Sequence, residues 1–158
     1  MMIVFLLRHG KAARPSTLIH SDHMRPLTNE GRSEMVKIGR ALKHLDIQPD
    51  MLVSSPLVRS VQTAEIVSEY VDASITLWDE LKPESHPSAT LKLIQSLHVK
   101  SIMLVGHEPH LTDLISHMIS ATMLPISLKK GGLACIRMPA KGFASLRYLL
   151  TPRQMGKM

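Results

Sequence analysis

Arg8, His9 and Gly10 directly follow the apolar run Phe5-Leu6-Leu7, Arg59 lies a few residues past the run 51–54, and His107 comes just after the run 101–105. Two guanidiniums and two imidazoles together suit a phosphoryl group. Arginine donates paired hydrogen bonds to phosphate oxygens, and a helix opening beside them adds unbonded N–H groups and a positive dipole end. A neutral imidazole is a competent nucleophile near pH 7 when an acceptor holds its second nitrogen. Each residue alone has a plainer reading: the histidine as a satisfied strand-end side chain, the arginines as surface charges or ion-pair partners. The chemistry requires that all of them converge.

The elements between them make that convergence possible. Short β-rich runs alternate with longer helical periods, the pattern of an α/β layer fold with a mostly parallel central sheet. Strands are expected at 3–7, 51–54, 75–78 and 101–105, and a closing hairpin from 133–138 and 144–150. A helix over 30–45 follows the start signal Pro26-Leu27-Thr28-Asn29 and carries Met35, Ile38, Leu42 and Leu45 at helical spacing. Ser55 and Pro56 read as the N-cap and first residue of a helix bearing Val61, Ala64, Val67 and Val71, with Arg59 in its first turn. Further helices are expected at 88–97 and along Leu111, Leu114, Ile115 and Met118. In an open parallel sheet ligands sit beyond the carboxyl ends of the strands, where Arg8, His9, Arg59 and His107 would all lie. Residues 11–25 form the longest irregular connection, suited to a lid or rim.

Length and composition narrow the setting. A chain of 158 residues is expected to form one domain over residues 1–158. No apolar stretch approaches membrane-spanning length, and residues 1–3 lead straight into the first strand without a signal-peptide pattern, so a cytoplasmic, soluble protein is expected. The single Cys135 fits a reducing compartment. The net charge of +6 is C-terminal: residues 114–158 hold seven Lys or Arg and no acid, against twelve bases and thirteen acids before them. Such a face could attract an acidic or phosphorylated partner, or could simply keep the protein soluble. With two Phe, two Tyr and one Trp for base stacking, nucleic acid is not the expected partner.

The segments LLRHGKA, RPLTNEG, SSPLVRSVQTAEIV and LVGHEPHL, with the ending LRYLLTP, carry a resemblance. In that order they resemble the histidine phosphatase superfamily, and within it the short phosphohistidine phosphatases of the SixA type. The resemblance implies a three-layer α/β/α sandwich of phosphoglycerate mutase-like fold. It also implies a phosphatase that needs no metal or cofactor and works through a phosphohistidine intermediate. His9 would be the nucleophile, with Arg8, Arg59 and His107 around the phosphoryl oxygens. A carboxylic acid near the leaving oxygen, expected in larger relatives, has no clear counterpart; Asp79, Glu80, Glu84 and His86 are the candidates on loop 79–87. A P–N bond to imidazole breaks once the ring is protonated, whereas an alkoxide depends more on a general acid. This favours phosphohistidine on a protein as substrate, with a small phosphate monoester as the alternative. A non-catalytic phosphate-binding or nucleic-acid-binding module is the rival from another class.

Other chemistries fit less well. His107 with His110, and His20 with His23, have a spacing open to metal, but His110, Asp113 and His117 read as the solvated side of their helix. No nucleophile elbow, Walker loop or dinucleotide turn is present, and Cys135 lacks the arginine six positions on that a cysteine-dependent phosphatase would use.

Overall fold

Residues Val4, Leu6 and Leu7 are fully buried and Phe5 nearly so, because layers of helix cover both faces of the strand they form. The computed structural model describes residues 1–120 and 122–158. The six strands are β1 (Met2–Arg8), β2 (Met51–Ser54), β3 (Ile75–Leu77), β4 (Ser101–Gly106), β5 (Leu133–Met138) and β6 (Ser145–Leu150). They make one sheet in the order β3-β2-β4-β1-β5-β6. The first four strands run parallel, β5 is antiparallel to β1, and β6 closes the expected hairpin against β5. The architecture is a three-layer α/β sandwich with a mixed, mostly parallel sheet, as the sequence pattern implied.

The two-residue period of the strands divides the core. Phe5 and Leu7 face α1 (Asn29–His44), α2 (Val58–Val71) and α5 (Pro152–Met155), packing with Met35, Ile38, Leu42, Val67 and Met155. Val4 and Leu6 face the other way, onto α3 (Pro87–Ser96) and α4 (His110–Ile119), among Ile94, Leu111, Leu114 and Ile115. Thr28 caps α1 by accepting the Gly31 N–H. The short α5 is set by a capping box between Thr151 and Gln154. Its four residues are too few to show a hydrophobic period, and the sequence pattern does not reveal it.

Two expectations are corrected. Ser55 and Pro56 do not open α2: the helix begins at Val58 with Leu57 as its N-cap. The Ser55 hydroxyl is instead engaged by His107, which keeps this stretch out of the helix. His110 is not on a solvated face. It is 2% exposed, with Nδ1 bonded to the Ser85 carbonyl at 3.0 Å and Nε2 to the Thr90 hydroxyl at 3.0 Å. It thereby fastens α4 to loop 79–87, while Asp113 is half-buried and His117 remains exposed.

Candidate active site

Strand ends place the four predicted residues. Arg8 closes β1, His107 follows β4, and Arg59 occupies the first turn of α2, just beyond β2. Parallel pairing sets Arg8 opposite Gly106, and the His9 N–H donates to the Gly106 carbonyl at 3.0 Å. The imidazoles of His9 and His107 therefore lie with ring centroids 5.0 Å apart, tilted by 55°. Arg59 Nε donates to His9 Nε2 at 3.3 Å. Arg8 donates from Nη1 to the Leu128 carbonyl, and this anchors its guanidinium on the loop before β5.

His9 is held in one tautomer. Its Nδ1 lies 2.7 Å from the Gly10 carbonyl, which can only accept, so the proton resides on Nδ1 and the Nε2 lone pair faces Arg59. Burial, and then the positive charges of Arg59, Arg8 and Lys130, push its pKa down to about 3 despite the opposing Gly10 bond. His107 is pushed to about 2 by burial, with His9, Arg59 and His110 adding to the shift. Both rings are thus neutral at physiological pH. Burial also lowers both arginine pKa values, opposed by the charge of Glu108 for Arg8 and of Asp22 for Arg59.

Two polar atoms here are buried without a hydrogen-bond partner among the described residues: Arg8 Nε and His107 Nδ1. An orphaned buried donor is costly, and an anion's oxygens would satisfy it. Among the described residues no side chain caps α2; the Ser60 and Val61 N–H groups donate to the Leu57 carbonyl, and those of Val58 and Arg59 remain available with the positive dipole end at the same edge. The arrangement suits a tetrahedral anion next to a nucleophilic nitrogen.

Several site residues escape a reading by spacing. The Asp22 carboxylate pairs with Arg59 Nη2 at 3.0 Å and its carbonyl accepts from Nη1 at 2.8 Å. This makes the 11–25 segment a rim of the site. Burial raises the Asp22 carboxyl, but Arg59 and Arg25 outweigh it and hold the pKa below the usual range. Thr63 accepts the Gly10 N–H at 3.1 Å and donates to the Arg59 carbonyl, tying the β1 turn to α2. Its place one helical turn after Arg59 is the one sequence signal that could have found it. Ser55 and Ser60 both contact His107 Nε2.

The four acid candidates are dispersed. Asp79 pairs with Lys82, Glu84 lies 3.5 Å from His23 across the rim, and His86 caps α3. Glu80 is half-buried, and its carboxylate alone makes no ion pair or hydrogen bond among the described residues. Likewise among the described residues, no three His, Cys, Asp or Glu side chains gather as a metal-ligand cluster.

Fold and site together define an α/β protein that gathers two arginines and two neutral histidines at the carboxyl edge of its sheet. The profile of the histidine phosphatase superfamily (branch 1) matches residues 4–85, and the chain belongs to that superfamily. It is a phosphatase of this group. Phosphohistidine phosphatase SixA of Escherichia coli K12 is 26% identical over 158 residues, spanning 96% of this chain and 94% of that protein. The solved structure of SixA with tungstate superposes with a TM-score of 0.88 at 25% identity, covering 96% of this chain and 98% of that one. A structure from Agrobacterium tumefaciens assigned to SixA gives 0.83 at 29% identity, covering 96% and 98%.

Proposed function

We propose that this protein removes the phosphoryl group from phosphohistidine on a protein, with His9 as nucleophile. His9 Nε2 attacks phosphorus, the bond from phosphorus to the substrate imidazole breaks, and the leaving nitrogen takes up a proton. Water then attacks the phosphorus of phospho-His9, the P–Nε2 bond breaks, and inorganic phosphate departs. Arg8, Arg59 and His107 stabilise the charge on the transferring group, the main contribution a protein makes to such a transfer. The observation that carries the reading is the His9 Nε2 lone pair, aimed at Arg59 by the Gly10 carbonyl behind the ring. The similarity to phosphohistidine phosphatases along nearly the whole chain supports the substrate class.

A phosphoryl donor should label wild-type protein with acid-labile, base-stable phosphate, and His9→Ala should take up none and lose turnover. Rates on a phosphohistidine-bearing protein should exceed those on small phosphate esters and survive EDTA. Wild-type turnover in His9→Ala would overturn the mechanism, and faster hydrolysis of small esters would replace the substrate.

A further inference from the structure

The unpartnered Nδ1 of His107 has an explanation on the opposite edge of the same ring. His107 Nε2 lies 2.8 Å from the Ser55 Oγ and 3.2 Å from the Ser60 Oγ. Both serines are fully buried. Among the described residues Ser55 Oγ has one other hydrogen-bond partner, the Leu57 N–H at 3.4 Å, which is a donor. The Ser55 hydroxyl hydrogen therefore has Nε2 as its acceptor. Ser60 Oγ has no other partner among the described residues and shares that nitrogen. A neutral imidazole that accepts at Nε2 carries its proton on Nδ1. The reverse tautomer would strand the buried Ser55 hydrogen.

We infer that Ser55, assisted by Ser60, fixes the tautomer of His107 so that its Nδ1–H is the group offered to a phosphoryl oxygen. The two serines are positioning residues. They act through His107, much as the Gly10 carbonyl acts through His9, and the two rings carry the same tautomer for opposite ends: His9 exposes a lone pair and His107 a donor. This deepens the proposed function and rests on His9 as the attacking group.

Nitrogen-15 NMR of the histidine rings in the full-length protein tests it without relying on turnover. Wild-type His107 should appear as the Nδ1-protonated tautomer, and inorganic phosphate should move its Nδ1 proton downfield. In Ser55→Ala/Ser60→Ala the ring should populate both tautomers, and kcat should fall roughly tenfold or more, as for loss or misdirection of a donor to the reacting group. KM should change less than kcat does, since the interaction is stronger in the transition state than with bound phosphate. The single variants, each with a thermal melt, separate this from misfolding. An Nε2-protonated His107 in the wild type, or wild-type kcat in the folded double variant, overturns the inference. Turnover by His9→Ala would instead remove the phosphatase mechanism while leaving the tautomer spectrum to stand on its own.

Discussion

Arg59 commits each of its three guanidinium nitrogens, Nε to His9 and the other two to Asp22. A lysine at this position keeps the charge but has a single point donor in place of the planar fork. Arg59→Lys should therefore lower kcat/KM by about 10²–10³, close to Arg59→Ala, because the geometry is lost along with the stabilisation of developing charge. Steady-state kinetics on a phosphohistidine substrate measures this. Recovery of most activity by lysine would mean that Arg59 serves only as a nearby charge. The same guanidinium shows where reading by residue type stops. Arg8, His9, Arg59 and His107 were legible because their motifs occur in order along the chain. Asp22 was not, since an exposed aspartate in an irregular segment has no period to mark its partner. Ser55 was visible but given the wrong task, because Ser-Pro before an apolar period is also how helices begin.

At the scale of elements, the contact between α1 and the turn after His9 is unusually close. A Cβ on Gly31 would collide with the backbone carbonyl of Lys11, a group that no side-chain rotation can move aside. Gly31→Ala should destabilise the fold by roughly 1–3 kcal/mol, the cost of overpacking, as read from the urea midpoint. It should also reduce activity, since Lys11 sits two residues from His9. An unchanged midpoint would show that α1 can drift without consequence. The strands and long helices were foreseeable for a related reason. β1, β2, β4 and α1 bury continuous or strictly periodic apolar sets, so their pattern is their packing. His110 was misread because it shares the helix side of Asp113 and His117; only loop 79–87 folding back over it makes it interior. That information belongs to tertiary structure.

For the molecule as a whole, the buried imidazoles of His9, His107 and His110, all held below the ordinary histidine value chiefly by burial, make stability depend on pH. In the unfolded chain each takes a proton near its ordinary pKa of about 6.5, whereas the folded values are about 3 for His9 and about 2 for His107. The unfolded state therefore binds more protons as pH falls below 6.5, and folded stability drops by about 1.4 kcal/mol per pH unit for each ring. The loss should run from pH 6.5 down toward 3, with none contributed by these rings above 7. Melting curves between pH 7 and 4 should show the decline, and His107→Asn should flatten it; an equally steep decline in the variant would place its cause elsewhere. The sheet order adds a consequence for how the molecule comes to exist. β4 is the last of the parallel strands to be synthesised, yet it lies between β1 and β2, with Leu7 facing Val105 and Arg8 facing Gly106. A ribosome that has extended the chain only to its hundredth residue has made His9 but none of the strand that sets a second ring beside it, and a one-residue slip on insertion would turn that strand's side chains to the wrong face. A chain that has not yet made its fourth strand thus lacks the paired imidazoles, and the site is complete only once that strand lies between β1 and β2.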